Sequence, residues 1–446
     1  MARDRLVSPT ARFAVALMIA LSALFAAAAA ARADMIGHGG LIRSIAMSPD
    51  GRLALTASFD YTARLWRFDE QRELQRLDGH DGPVNAAVFA PGGRQAVTVG
   101  ADGRLIVWTL ADGDARHVVE AHEGRAMSVV LSADGATALT GGWDGRLALW
   151  EVASGRRLDS FDTGTPITAV AFGPDEASLV AGGRDGVIRL VRRRDGIVIG
   201  GIKAHDLGLT SVVGSRNGRR LLSIGLDNHA RVWNLASQAL VSEYLPKPAT
   251  KPVAAALSAD GRAVLVGYLD GRLLLLDAGS GSVQRTLEVE DGPVWAVAFS
   301  RDTRFALTAG VEERVKVWHL ATGDRISTAG DDDANRPMPW LASDHPGART
   351  FRKCANCHAL TRAERQRSGP HFAGLFGRRA GTVAGYRYSG VLRRSDVIWD
   401  RQTIAELFRL GPDRYMPGTK MPVQQIADEG RLTDLIDYLQ QIAPPD

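Results

Sequence analysis

The sequence is poor in cysteine, in net charge and in long hydrophobic runs. Its 446 residues include two cysteines, which excludes a scaffold built from disulfides. The formal charge is +4, and residues 1–33 carry +3 of it, so the rest of the chain is nearly neutral and is not typical of a nucleic-acid binder. Beyond residue 33 no stretch could span a bilayer. The apolar content of 45% excludes disorder over most of the chain.

The first 33 residues have the pattern of an export signal. Three arginines precede an alanine-rich apolar run that starts at Phe13, and Ala31 and Ala33 place small residues where a signal peptidase cleaves. We expect cleavage near Ala33, a mature chain that begins near Asp34 and a periplasmic location. The alternative is an uncleaved membrane anchor, because the run approaches the length of a membrane span.

The following region repeats itself. An acidic turn residue recurs at intervals of 41 to 43 residues, and in five units a tryptophan follows it six residues later. Short apolar runs separated by turns surround each acid, and such a pattern at this period predicts a β-propeller, here with seven blades. The acidic residues are Asp60, Asp102, Asp144, Asp185, Asp227, Asp270 and Glu312.

These repeats resemble the WD40 family over roughly residues 36–328. The resemblance implies a buried hydrogen-bonded set of histidine, aspartate and tryptophan in each complete blade, as with His38, Asp60 and Trp66. The histidines are spread around the ring, so a structural role is favoured over metal binding. The histidines at this turn are His38, His80, His122 and His205.

The incomplete units carry two further expectations. Units four, six and seven lack the histidine, and we expect them to rely on apolar packing alone. The last unit is expected to supply its own fourth strand near residues 324–328, so that the first and last blades meet without a long exchanged strand.

The pattern changes after the repeats. Residues 329–343 contain three consecutive acids and two prolines, which predicts a linker. Residues 430–443 place apolar side chains three and four positions apart, as on one face of a helix. The sequence therefore predicts a signal peptide over 1–33, a propeller over 34–328, a linker over 329–343 and a small helical domain over 344–446.

Both cysteines lie in the motif Cys354-Ala355-Asn356-Cys357-His358. Cys-x-x-Cys-His is the attachment signature of c-type haem, because two thiols one helical turn apart can each bond a vinyl group while the imidazole reaches the iron. Structural zinc would need a second ligand pair. A thioredoxin-type disulfide would not need the histidine. The motif indicates one covalent haem c, held by Cys354 and Cys357, with His358 as an iron ligand.

The sequence around this motif resembles the class I cytochromes c. Residues 411–423, which contain Pro-Gly-Thr-Lys-Met, resemble the family's methionine loop. The resemblance implies that Met421 is the second iron ligand, with Met416 the less favoured candidate.

Further positions match the same family. The resemblance implies that the Pro370 carbonyl accepts the N–H of His358. It also implies that Arg378, Tyr388 and Trp399 bind or neutralise the haem propionates. Gly347 and Phe351, with Tyr438, resemble the family's helix-crossing contact.

The predicted architecture is an all-β seven-bladed WD40-type propeller followed by a small all-α cytochrome c domain. With both axial positions filled, we expect a periplasmic electron-transfer protein rather than an enzyme. Redox partner proteins are expected to dock on the propeller and on the haem edge of residues 344–446, which carry +5. No nucleic acid, and no membrane after signal cleavage, is expected as a partner.

The alternative is a cytochrome-fused propeller oxidoreductase whose propeller holds a second cofactor or substrate. Quinohaemoprotein dehydrogenases and propeller reductases have this arrangement. The tryptophan repeats of the former are not found here. The further propeller histidines, His117, His229 and His319, lie in different blades rather than in one cluster.

Overall fold

The computed structural model describes residues 34–215, 218–326, 343–355, 358–362, 369–384, 386, 388, 390–417, 419, 421 and 424–443. The predicted signal peptide lies outside these residues, as does nearly all of the predicted linker. The domain boundaries stated above therefore stay predictions.

In the described residues, 28 strands form seven antiparallel four-stranded sheets. In blades 1 to 3, the strands from the axis outward are β2 (Ile42–Met47), β3 (Leu53–Ser58), β4 (Thr62–Arg67) and β5 (Arg72–Asp78); β6 (Val84–Phe89), β7 (Gln95–Gly100), β8 (Arg104–Thr109) and β9 (Ala115–Glu120); and β10 (Ala126–Leu131), β11 (Thr137–Gly142), β12 (Arg146–Glu151) and β13 (Arg157–Asp162). In blades 4 to 6 they are β14 (Ile167–Phe172), β15 (Ser178–Gly183), β16 (Val187–Arg192) and β17 (Val198–Lys203); β18 (Leu209–Gly214), β19 (Arg220–Gly225), β20 (Ala230–Asn234) and β21 (Leu240–Tyr244); and β22 (Pro252–Leu257), β23 (Ala263–Tyr268), β24 (Arg272–Asp277) and β25 (Val283–Glu288). Blade 7 consists of β26 (Ala296–Phe299), β27 (Phe305–Ala309), β28 (Arg314–His319) and β1 (Met35–Ile36).

The sheets form a closed ring. The innermost strand of each blade contacts the innermost strand of the next, and β26 of blade 7 contacts β2 of blade 1. The second and third strands of each blade are the most deeply buried, whereas outer strands such as β9 consist of exposed and half-buried residues. The core therefore lies between blades, and the predicted seven-bladed propeller is confirmed.

The ring is closed by residues from the beginning of the described chain. β1 pairs antiparallel with β28, with Met35 opposite Val315 and Ile36 opposite Arg314. Met35 is fully buried in the core shared by blades 1 and 7. The prediction that the last unit supplies its own fourth strand is wrong, and the exchanged strand found there instead has only two residues.

The physical reason lies at the outer edge of β28. Arg325 forms one isolated bridge with Trp318, so the segment predicted to supply the fourth strand covers only one end of this edge in the described residues. The other end would leave backbone groups unpaired without β1. Asp34, which is 6% exposed, ties the two segments together through ion pairs with Arg325 and with Arg314 Nη1, the latter at 3.4 Å.

A buried chain of hydrogen bonds organises blade 1. Trp66 Nε1–H donates to Thr56 Oγ1 at 2.8 Å, Thr56 lies 2.6 Å from His38 Nε2, and His38 Nδ1 lies 2.8 Å from Asp60 Oδ2. Burial lowers the pKa of His38 despite the neighbouring Asp60, so the ring is neutral and Nε2 can accept from the hydroxyl. Burial alone would raise the pKa of Asp60, but His38, Thr62 and the Gly39 backbone hold it well below the usual range.

The same chain recurs in blades 2, 3 and 5, which confirms the structural interpretation of the turn histidines. The hydroxyl that links histidine to tryptophan is not predicted by the sequence analysis, because serine and threonine are common in strands. The equivalent sets are His80, Thr98 and Trp108; His122, Thr140 and Trp150; and His205, Ser223 and Trp233.

Blade 7 departs from the expectation of apolar packing alone. Glu290 stands at the histidine position and Lys316, 5% exposed, reaches it at 3.4 Å and Glu312 at 2.6 Å. Trp318 Nε1–H still donates to Thr308 Oγ1 at 2.9 Å. The expectation is wrong for this blade because a cluster of Lys316 with two carboxyl groups replaces the histidine and aspartate pair. In blades 4 and 6, buried Val191 and Leu276 stand at the tryptophan position.

The described residues after the propeller form five helices and one isolated bridge. Helices α1 (Pro346–Ala355) and α5 (Glu429–Ile442) cross in close contact, since a Cβ on Gly347 would lie 2.0 Å from the Asp434 carbonyl oxygen. Phe351 packs edge-on against Tyr438 with ring centroids 5.5 Å apart, which confirms the expected crossing contact. The helices are α1 (Pro346–Ala355), α2 (Gly390–Arg393), α3 (Arg401–Leu410), α4 (Pro412–Tyr415) and α5 (Glu429–Ile442).

None of the helices in the described part of the chain has both the length and the apolar character to cross a membrane.

Candidate functional site

The residues predicted to bind the cofactor lie around one cleft in the helical region. The cleft and the open solvent at its entrance together comprise about 1140 Å³ of space. All the predicted residues except Cys357, which lies outside the described residues, line this space: Cys354, His358, Pro370, Arg378, Tyr388, Trp399 and Met421.

The position of His358 follows from the end of α1. Its backbone N–H donates to the Cys354 carbonyl at 2.9 Å, a hydrogen bond between residues four positions apart, as in a helix. Its Nδ1 lies 2.7 Å from the Pro370 carbonyl oxygen. A carbonyl oxygen only accepts, so Nδ1 carries the hydrogen and Nε2 carries the lone pair that a metal ligand needs. The predicted hydrogen bond from His358 to Pro370 is confirmed.

Two neighbours fix the plane of the His358 ring. Phe372 stacks on it with centroids 4.6 Å apart and planes 13° apart. Gly369 presses against its edge, because a Cβ there would lie 2.5 to 2.8 Å from three ring atoms. The sequence does not predict these contacts, although the glycine before Pro370 is a signal of close backbone approach. The ring is therefore held on three sides.

Cys354 contributes a thiol to the wall of the cleft. It lies on α1, is 6% exposed and belongs to the apolar core of the helical region. With His358 it confirms that the first and last residues of the Cys-x-x-Cys-His motif face one space. Thioether attachment stays a prediction.

Both candidate methionines reach the cleft. Met416 is 6% exposed, whereas Met421 is half-buried and packs against the same core. The backbone N–H of Met421 donates to Thr419 Oγ1 at 3.2 Å, which shapes the turn that carries it. The choice of Met421 over Met416 as the ligand stays a prediction.

Arg378 and Trp399 are joined through the backbone. Trp399 N–H donates to the Arg378 carbonyl at 2.9 Å, and Gly377 N–H donates to the Trp399 carbonyl at 2.8 Å. The Arg378 guanidinium also donates to the carbonyls of Ala373 and His371, the latter at 2.9 Å. Arg378 thus ties together the loop that orients His358, a role that the sequence does not predict.

Tyr388 lies half-buried in the wall beside Tyr386, with ring centroids 4.6 Å apart. Burial raises the pKa of Tyr388, although Arg378 and the Val383 backbone lower it. The hydroxyl therefore stays protonated at neutral pH and can donate a hydrogen bond. The proposed contacts of Arg378, Tyr388 and Trp399 with propionates stay predictions.

The residues present fit a c-type haem. The imidazole of His358 provides a lone pair on Nε2, and the methionines Met416 and Met421 line the same space. Cys354 contributes a thiol to the wall. The remaining lining is largely apolar, as with Leu407 and Phe408, and excludes water from a bound group.

Comparison with known proteins supports both parts of the chain. The model of the WD domain, G-beta repeat, matches residues 32–67, 71–109, 113–151, 155–191, 196–234 and 281–319, about half of the chain. Residues 235–280, which contain β22, β23 and β24 of blade 6, are not among these matches, although the structure forms these strands into a sheet with β25.

A second region is similar to cytochromes c. A stretch of 96 residues, 21% of the chain, is 41% identical to cytochrome c of Ginkgo biloba and covers 84% of that protein. A stretch of 98 residues, 22% of the chain, is 40% identical to cytochrome c2 of Rhodoplanes tepidamans and covers 91% of it. Cytochrome c of Cochliobolus lunatus is 38% identical over 96 residues, 21% of the chain and 88% of that protein.

Proposed function

Because this chain belongs to the WD40 repeat family and, over about a fifth of its length, to the cytochrome c family, we propose that it is an electron-transfer protein. Its helical region is proposed to be a class I cytochrome c domain with one haem bound covalently through Cys354 and Cys357. His358 and Met421 are proposed as the iron ligands.

The observation that carries this proposal is the tautomer of His358. The hydrogen bond to Pro370 requires that Nδ1 carries the hydrogen, so the lone pair is on Nε2, which can act as a base or as a metal ligand. Gly369 and Phe372 prevent the ring from turning away. A preset imidazole beside a Cys-x-x-Cys-His thiol is what haem attachment requires.

When bound, a c-type haem supplies a reversible one-electron couple between ferric and ferrous iron. Residues of the chain would prevent other molecules from reacting at the iron. His358 and Met421 would both bind the iron and would leave no position for a substrate, which supports a carrier rather than an enzyme. Arg378 and Tyr388 place a cation and a hydroxyl donor where buried carboxylates would otherwise be costly.

The propeller is proposed to be a docking platform for redox partner proteins. In blades 1, 3, 5 and 7 the residue before the acidic turn residue is a large apolar side chain, between 39% and 48% exposed. These residues occupy equivalent positions and so share one face of the ring. Exposed apolar groups on one face favour a protein interface. They are Phe59, Trp143, Leu226 and Val311.

A periplasmic location is proposed from the signal pattern of residues 1–33, which agrees with covalent haem attachment outside the cytoplasm. Asp34, the predicted first mature residue, is buried in the closure of the ring. Cleavage after Ala33 would thus leave every residue that the closure uses.

The test is a cofactor inventory of the protein purified from the periplasm of a host that matures cytochromes c. We expect one haem per chain that stays attached under denaturing conditions, and a redox titration that fits a single electron. The matched variants Cys354→Ser and Cys357→Ser should each lose one thioether bond. A colourless protein, or haem removed by acidic solvent, would contradict the proposal, whereas an additional quinone, copper or loosely bound haem would favour the oxidoreductase alternative.

A further inference from the structure

A tyrosine occupies a left-handed turn of blade 1 where most blades carry glycine. Between β3 and β4, Tyr61 has φ 69°. In this conformation the Cβ of an L-residue crowds the following carbonyl oxygen, and a bulky side chain is an outlier. The turn itself therefore does not call for a tyrosine. At the equivalent positions the other blades have Gly103, Gly145, Gly186, Asn228, Gly271 and Glu313.

The turn that carries Tyr61 is held firmly by its neighbours. Asp60 Oδ2 accepts from His38 Nδ1 at 2.8 Å and from the Gly39 backbone at 2.9 Å. Its Oδ1 accepts from the Thr62 backbone at 2.9 Å and from the Thr62 hydroxyl at 2.6 Å. Because His38 is fully buried, the position of Tyr61 is set by the interior of blade 1.

Tyr61 reaches the cofactor cleft. It lines the same space as His358 and Met421, and every other lining residue that the structure describes lies between Cys354 and Leu439. Tyr61 is thus the contribution of the propeller to a cleft otherwise built by the helical region. The side chain is half-buried in this position.

We propose that Tyr61 closes the cleft, so that blade 1 shields the haem and fixes the orientation of the helical domain against the propeller. This inference rests on the proposed function. An aromatic residue in the wall of the cleft displaces water, which lowers the local dielectric and raises the reduction potential. Tyr61 acts as a shielding and positioning residue, and the strained backbone conformation is retained for that role.

The test compares Tyr61→Gly with Asn228→Gly in the full haem-loaded chain. Both variants place glycine at the same left-handed turn position, but Asn228 lies in blade 5 and does not line the cleft. Glycine is native at this turn in four blades, so both variants should fold. Tyr61→Phe separates the ring from the hydroxyl.

Two measurements are made on each variant. We expect Tyr61→Gly to lower the reduction potential and to raise severalfold the rate at which hexacyanoferrate(III) takes one electron from the ferrous protein. Asn228→Gly should leave both unchanged, and Tyr61→Phe should stay close to wild type. Unchanged potential and rate in a haem-loaded Tyr61→Gly would overturn the inference.

A third measurement does not depend on haem. Nitration by tetranitromethane, read by peptide mass spectrometry, should modify Tyr61 no faster than Tyr244, which is half-buried on the outer strand of blade 5. Faster nitration of Tyr61 would overturn the inference. A chain without haem would contradict the proposed function, and nitration would still decide whether Tyr61 is covered.

Discussion

Replacing Gly369 with alanine places a methyl group against the imidazole of His358. The added Cβ would lie 2.5 Å from the ring, which must retreat by about 0.9 Å to reach an ordinary contact of 3.4 Å. The retreat breaks the 2.7 Å hydrogen bond from His358 to Pro370.

The expected cost combines two effects. Overpacking of a tight site costs about 1–3 kcal/mol, and loss of the hydrogen bond costs about 0.5–1.5 kcal/mol. We therefore expect Gly369→Ala to lower the free energy of unfolding of the haem domain by about 1.5–4.5 kcal/mol. The assay is urea denaturation of the haem-loaded chain, followed by haem absorbance.

Gly430→Ala is the matched control. Gly430 lies in the first turn of α5, where an added Cβ meets only the Asp428 carboxylate at 3.3 Å. Alanine in a helix is more favourable than glycine by up to about 1 kcal/mol, so the same substitution should here be neutral or stabilising. If Gly369→Ala unfolds at the wild-type urea concentration, the ring of His358 is not held as described.

Three further predictions concern the propeller. Met35→Ala should lower the free energy of unfolding by about 2–5 kcal/mol, because Met35 is fully buried in the closure; no change in urea denaturation would mean that the ring closes without β1. Thr140→Val should cost about 1–3 kcal/mol in the same assay, because His122 at 2.8 Å and Trp150 at 3.0 Å lose their shared hydroxyl; stability equal to wild type would contradict this. Burial raises the pKa of Glu290 to about 8 despite Lys316, so protonation of Glu290 stabilises the fold at low pH. The free energy of unfolding should therefore fall by up to about 1.4 kcal/mol per pH unit between about pH 5 and 8. Glu290→Gln should flatten this slope, and an unchanged slope would refute the assignment.

The repeat pattern was sufficient to predict the ring but not its closure. An acidic residue every 41 to 43 positions marks each blade, because each blade has the same turn between its second and third strands. The closing strand has two residues, Met35 and Ile36, and is too short to show any periodicity. The contact of Lys316 with Glu290 could not be predicted either, since it depends on residues that are far apart in the sequence and meet only in the folded blade.

More of the candidate site than of the fold around it could be predicted from the sequence. Cys-x-x-Cys-His and the methionine loop are local motifs, and His358 and Met421 indeed line one cleft. The contacts that hold the imidazole, from Gly369 and Phe372, require the folded loop. The position of Tyr61 in the cleft depends on how the propeller and the helical region meet, which no local sequence pattern predicts.

The most direct test of the account is the weak far-red absorption band that methionine sulfur gives an oxidised class I cytochrome c. The account predicts this band in the wild-type protein and in Met416→Ala, and its loss in Met421→Ala with the haem still covalently attached. A band that survives in Met421→Ala, or that disappears in Met416→Ala alone, would contradict the assignment of Met421 as the partner of His358 on the iron.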